Sequence, residues 1–299
     1  MPTALDTVAL ARIRSLELRA KVIVEGLWRG LHRSPYHGFS VEFSEYRAYV
    51  QGDDPRAIDW KVLARSDRTF IKKFEDETNL RCQLVVDHSR SMKFGSGALI
   101  KGDYAATLAA TLALFLMQQG DAVGVTTFGK TLQEHIPARN RPGHLRRLML
   151  ELEKPSPEGL TSLDLSIGQL AGLLRKRGMV CLVSDLLAPV EKLEQQLALL
   201  GAMGHDMVIF HVMDRAEIEF SFEKVAHFRD LETGQERFVD PGLAREAYLQ
   251  RFNAHRDFIR KACEHQGIEY HEVPTDRPVE EVLFKFLSAR SRKKGGLRR

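Results

Sequence analysis

Disulfide scaffolding is the first thing the sequence excludes. Its 299 residues include three cysteines, Cys82, Cys181 and Cys263, an odd number spread far apart. Cys82 and Cys181 fall in apolar, strand-like runs, so buried thiols are expected rather than a disulfide framework or a zinc site. Long apolar runs are lacking as well. The longest, YAATLAATLALFLM from Tyr104 to Met117, is shorter than the roughly 20 residues a bilayer crossing needs, and reads as a core helix. The N-terminus, MPTALDTVALARIRSLELRAK, has neither the compact apolar core nor the cleavage site of a secretory leader. Leu5, Val8, Ala9, Ile13, Leu16 and Ala20 recur near one face there and predict a single amphipathic helix. The expectation is a soluble protein of the reducing cytoplasm. A charge bias of the body is also missing. Six of the 44 basic side chains sit in the last ten residues, RSRKKGGLRR, and the remaining 38 face 40 acidic ones. The net charge of +4 therefore belongs to the tail, which reads as a disordered, solubilising segment rather than a nucleic-acid or membrane anchor.

What is present is alternation. From Leu84 onward, short β-branched runs (CQLVVD, AVGVTTF, TLQEHIPA, MVCLVSD, DMVIFHVMD, IEYHEV) are separated by helical patterns, among them LDLSIGQLAGLLRKRG at 163–178. This predicts an α/β fold, a mostly parallel sheet flanked by helices. Two stretches break the rhythm. Residues 222–240 alternate at period two around Thr233-Gly234 and predict a β-hairpin within an insertion at about 217–240. Residues 36–80 mix aromatic, charged and strand-prone side chains and read as a small β-rich addition. The expected organisation is an N-terminal helix and β-rich addition over 1–80, the α/β domain over 81–289, and the basic tail over 290–299.

The chemistry concentrates at strand ends. LVVDHSRSM places Asp87, Ser89 and Ser91 at alternate positions just where an apolar strand stops. Asp185 ends another strand in CLVSDLL, and EGLTSLD presents Thr161 and Ser162 before a helix. In open α/β sheets ligands sit at the carboxyl ends of strands, so these groups should converge. The donors are all oxygen, and only two are carboxylates. That set suits a hard octahedral cation, Mg²⁺ or Mn²⁺, left short of negative charge and able to accept a further carboxylate from another protein. Removing either carboxylate should leave the fold intact, since clustered oxygens repel when no cation is bound.

Asp87-His88-Ser89-Arg90-Ser91, then Thr161, then Asp185 resemble the metal-ion-dependent adhesion site of von Willebrand factor A domains, D-x-S-x-S followed by a loop threonine and a later aspartate. The likeness covers roughly residues 81–275, with Ser162 as the alternative to Thr161. The upstream stretch FSEYRAYVQGDDPRAIDWKVLARSDRTFIKKFEDE together with DHSRSM is similar to the bacterial domain-of-unknown-function family 58. That resemblance implies a von Willebrand A-like (Rossmann-like) fold, a bound divalent cation, no catalysis, and a role as adaptor or co-chaperone of a MoxR-type AAA+ ATPase. The ATPase would supply the acidic residue that completes the metal shell, and no small-molecule substrate is implied.

Other readings compete for the same residues. Asp and Ser also cap helices and turns. A serine hydrolase would need a base beside Ser89, but the G-x-S-x-G elbow is missing, and His88, like Arg90, is a variable position expected to be exposed. A metal-dependent hydrolase at the same strand ends is the alternative function. GSGALIKG at 95–102 has Ile100 where a phosphate loop needs glycine. GDDPRAIDW at 52–60 fits either a salt-bridged turn anchored by Trp60 or a partner-reading surface.

Overall fold

The computed structural model describes residues 7–33, 46–48, 70–72, 80–129, 132–155, 169–170, 172–174, 176–231 and 234–296. Helix α1 (Thr7–Ala11) is followed by α2 (Leu16–Arg33). Strands β1 (Tyr46–Ala48) and β2 (Phe70–Lys72) pair antiparallel as a separate ribbon. Then come β3 (Arg81–Asp87), α3 (Lys101–Gln118), β4 (Ala122–Phe128), β5 (Leu132–Arg139), α4 (His144–Leu152) and β6 (Met179–Ser184). The chain continues through α5 (Val190–Ala202), β7 (Asp206–Met213), α6 (Arg215–Glu219), β8 (Ala226–Arg229), β9 (Glu236–Val239), α7 (Pro241–His265), β10 (Glu269–Pro274) and α8 (Val279–Gly296).

The main sheet has the order β10-β7-β6-β3-β4-β5, parallel throughout except for the β4–β5 hairpin. Its strands are covered on both faces, which is why they read as near-continuous apolar runs. The pleat divides them. Cys82, Leu84, Val86, Cys181, Val183, Val208, Phe210 and Val212 join one core with α2, α3, α4 and α8. Val85, Val180, Leu182, Met207 and Ile209 join the other with α5 and α7. All three cysteines are free and buried, as the apolar runs around Cys82 and Cys181 predict for those two.

Three differences from the sequence expectations have local causes. The N-terminal helix is broken at residues 12–15, because the Arg19 guanidinium folds back onto the Ile13 carbonyl and the Ser15 hydroxyl accepts from Leu18 N. Helix α2 also lies inside the main core, through Ala20, Ile23, Val24 and Leu27 and through Trp28 against Phe115, so a boundary at residue 80 does not set it apart. Helix α8 continues to Gly296 through most of the stretch expected to be a disordered tail. Arg290 forks onto both Asp206 oxygens and reaches Glu269, clamping the helix to the sheet edge before the basic run begins. Of the helix expected over 163–178, the described residues 169–170 and 172–173 are helical. The hairpin forms as the pattern implies, β8 against β9, with Gly234 at φ +74° supplying the left-handed turn residue. The stretch 52–60 lies outside the described residues.

The clamp gives a first test. Arg290→Ala should lower stability by about 1 kcal/mol, the pairs being partly solvated. Amide exchange should quicken along the last two turns of α8 and stay unchanged in α3. Uniform exchange across both helices would mean the clamp is inert.

Candidate metal centre

Strand β3 connects to β4 on one side, and β6 continues to β7 and β10 on the other, so the strand order reverses between β3 and β6. A crevice at the carboxyl ends of the strands is expected at such a switch point. Asp87 closes β3, and Asp185 follows β6 directly. Both are buried, at 2% and 3% exposure.

Four of the five residues expected from sequence meet there. Ser89 N donates to Asp87 Oδ1 at 2.8 Å, turning the loop back over the carboxylate. The Ser89 and Ser91 hydroxyls lie 2.9 Å apart. Ser89 also bonds Asp87, and Ser91 bonds Asp185, so the hydroxyls bridge the two carboxylates. Thr161 and Ser162 lie outside the described residues.

Would a cation fit? Neighbouring ligands of an octahedral ion at ~2.1 Å stand ~3.0 Å apart, close to the hydroxyl separation observed. The donors are hard oxygens. Among the described residues no three His, Cys, Asp or Glu side chains group as a metal cluster, so the case rests on the hydroxyls as much as on the acids. These oxygens fit the donor chemistry of Mg²⁺ or Mn²⁺, and Asp87, Ser89, Ser91 and Asp185 are the described residues that would hold such an ion.

The two carboxylates have been given opposite electrostatics. Burial, reinforced by Asp185, pushes Asp87 up to about 7, although Ser184 and Ser89 donate to it. Asp185 is held below the usual carboxylate range. Burial alone would raise it, but the Lys101 ammonium, 2.9 Å from its Oδ2, more than offsets that. Lys101 is fully buried, its ammonium also 2.6 Å from Glu217 Oε1 and facing the Phe94 ring. The loop that places it is tight: a Cβ on Gly95 would meet the Ile100 backbone at 2.6 Å. GSGALIKG is thus a folded turn that aims a lysine at two carboxylates.

Beneath Asp185 lies His211. Its Nε2 is 2.9 Å from the Asp185 carbonyl and its Nδ1 2.6 Å from the Tyr270 hydroxyl. A carbonyl can only accept, so Nε2 carries the proton and Nδ1 accepts from the tyrosine. Burial lowers this histidine to about 4. The residue after Asp185, Leu186, has φ +50°, a left-handed conformation costing a leucine roughly 1–2 kcal/mol. Its amide donates to Ser184 Oγ and its carbonyl accepts from His255. The turn that presents Asp185 is therefore held from three sides. His88, expected to be exposed, is buried at 7%, its backbone bonded to Phe128 at the end of β4 and its ring in the field of Glu151 and Lys154.

The sequence profile described as "Protein of unknown function DUF58" matches residues 45–258. The chain belongs to that family. The DUF58 match takes in all five motif positions, the β8–β9 hairpin and most of α7. The chain is 28% identical over 292 residues to uncharacterized proteins of Mycobacterium tuberculosis and Mycobacterium bovis, spanning 96% of this chain and 91% of theirs. Among solved structures it is similar to the conserved hypothetical protein BatB of Bacteroides thetaiotaomicron (TM-score 0.49, 14% identity, 72% of this chain and 99% of that one). It is also similar to the SpRpn10 VWA domain (TM-score 0.42, 12% identity, 68% and 93%).

Sequence reasoning missed Lys101, His211, Asp214 and Glu217 of this DUF58 chain. Asp214-Arg215-Ala216-Glu217 was legible, being a D-x-x-E capping box. Asp214 also takes both the amide and the hydroxyl of Ser96, tying the Lys101 loop to the end of β7. Nothing local marks Lys101 as buried. No helix among the described residues is long and apolar enough to cross a membrane.

Proposed function

We propose that this protein is a non-catalytic, cytoplasmic protein-binding module with a metal-ion-dependent adhesion site. In this reading Asp87, Ser89, Ser91, Asp185 and, from the loop outside the described residues, Thr161 hold Mg²⁺ or Mn²⁺. The cation takes an acidic residue of a partner, and by family resemblance that partner is a MoxR-type AAA+ ATPase served by this chain as adaptor or co-chaperone. The observation that carries the reading is the convergence of two carboxylates and two hydroxyls at the β3/β6 switch point. Oxygen donors with so little negative charge leave a divalent ion short of neutrality and receptive to an anion.

Hydrolysis by the same site finds less support. Both nitrogens of His211 are engaged, and His88 faces the Glu151 side of β4. Neither is placed as a base for Ser89.

The test combines calorimetry with a quantitative pull-down. Mn²⁺ binding should be lost in Asp87→Ala. Capture of the MoxR-type ATPase should fall at least tenfold with EDTA, recover with Mg²⁺, and fail in Ser89→Ala/Ser91→Ala, because charge-assisted bonds in a partly desolvated site are strong. Unchanged Mn²⁺ affinity in Asp87→Ala would sink the metal assignment. A hydrolytic activity that tracks Mn²⁺ occupancy would instead establish the enzyme.

A further inference from the structure

Beside the candidate metal centre the surface opens into a groove of about 1260 Å³ between the β8–β9 hairpin, α7 and the Leu187–Pro189 turn. It starts at the site itself. Leu187 follows Asp185 by two residues, Phe94 follows Ser91 by three, and Glu217 on the groove wall shares the Lys101 ammonium with Asp185. The groove is built around linked aromatic rings. Phe220 packs on Tyr248 at 4.5 Å and on Phe222 at 5.2 Å, Phe222 on Phe228 at 5.0 Å, and Tyr248 on Phe252 at 5.8 Å. Around these rings stand Arg229, Arg237 and Arg251. Arg229 is near Glu236, while Arg237 and Arg251 are exposed and make no ion pair among the described residues. The wall's acids are Glu217, which shares Lys101 with Asp185, and Asp230, so three arginines stand against two carboxylates. The lining is therefore apolar in its depth and net positive at its surface.

We propose that this groove receives an extended acidic segment of a protein partner, carrying one or more aromatic or aliphatic side chains, and leads its carboxylate to the cation. The proposal rests on the adhesion reading above and names the chemistry of its partner. Three observations select this occupant. The volume exceeds the ~300–1,000 Å³ of small-molecule pockets. Arg237 and Arg251, exposed and without an ion pair among the described residues, favour an anionic chain, which disfavours this protein's own basic C-terminal stretch. The rings pack on one another, Phe220 being only 5% exposed, so they offer apolar clefts for side chains rather than flat faces on which nucleotide bases would stack. Arginine beside aromatic clefts is also the composition of binding hot spots.

The experiment uses the full chain with Mg²⁺ in a selection from a random dodecapeptide phage library. Enriched peptides should be net acidic and carry an aromatic or aliphatic anchor. The best synthetic peptide should bind at least tenfold more weakly to Arg237→Glu/Arg251→Glu, whose substitutions lie on exposed side chains and spare the core. Replacing its anchor by alanine should cost as much. Absence of enrichment, enrichment of basic peptides, or unchanged affinity for the double arginine variant would overturn the groove. So would a dodecameric oligothymidylate that displaces the peptide. The two readings separate cleanly. Affinity lost in the arginine variant but unchanged by EDTA keeps the groove and removes the adhesion site. Affinity lost with EDTA but intact in the arginine variant does the reverse.

Discussion

Lys101→Met should destabilise the protein by about 3–5 kcal/mol, the penalty for stripping a buried ion of its partner. Methionine nearly fills the volume of the lysine stem, so packing changes little. What changes is charge. Asp185, 3% exposed, loses the ammonium 2.9 Å from its carboxylate and is left ionised in a dry environment or forced to take up a proton. Glu217 suffers less, since at 18% exposure it can turn toward water. The diagnostic variant is the double, Lys101→Met/Asp185→Asn, which removes both charges and should recover most of the loss. Urea unfolding of wild type, both singles and the double closes the cycle. A single-variant loss below 1 kcal/mol, or a double no better than the single, would mean that Lys101 does not neutralise Asp185. The same pairing corrects the expectation that removing either carboxylate relieves repulsion. Deleting Asp185 leaves a buried ammonium with Glu217 alone.

At Asp87, burial and repulsion from Asp185 act in the same direction, and together they have a pH signature. Its folded-state pKa of about 7 lies above the 3.8 of an ordinary aspartate. The folded state therefore binds more protons than the unfolded state between those values, and stability declines as pH rises through that window. Above pH 7 the penalty is fully developed. Asp87→Asn escapes it, keeping an acceptor for Ser89 N and offering Ser184 an amide. In EDTA, the variant's stability relative to wild type should therefore increase by roughly 2–4 kcal/mol between pH 4 and pH 8. Taking the difference cancels the opposite contribution of His211, which loses stability as pH falls from 6.5 toward about 4. Parallel stability curves for the two proteins would show that Asp87 is ionised freely in the fold.

Much of this was readable beforehand, for identifiable reasons. The strands of the main sheet are apolar throughout because both faces are covered, and a run such as MVCLVS leaves no other economical reading. Period-two alternation with glycine at 234 announced the hairpin. The meeting of Asp87, Ser89, Ser91 and Asp185 was legible because a parallel sheet brings the carboxyl ends of adjacent strands to one edge. By contrast, local reading misled at two places. The basic run after Arg290 reads as disordered, yet the Arg290 clamp holds the preceding turn of α8 to the sheet edge. His88 reads as exposed, yet the end of β4 covers it.

The sequence by itself determined the alternation of strand and helix, the two-faced burial of the sheet and the oxygen-donor set, because each is written in local periodicity and residue type. Only the tertiary structure decided which carboxylate is charged. Lys101 lies 84 positions from Asp185 and 116 from Glu217, and no local pattern distinguishes it from a solvated surface lysine. The fold buries the three groups together at the edge where β3 and β6 part, and in that low-dielectric setting an ammonium fixes Asp185 as an anion while Asp87, without such a partner, is pushed toward neutrality. Burial and distance set the sign and size of these interactions, and both are properties of the assembled chain.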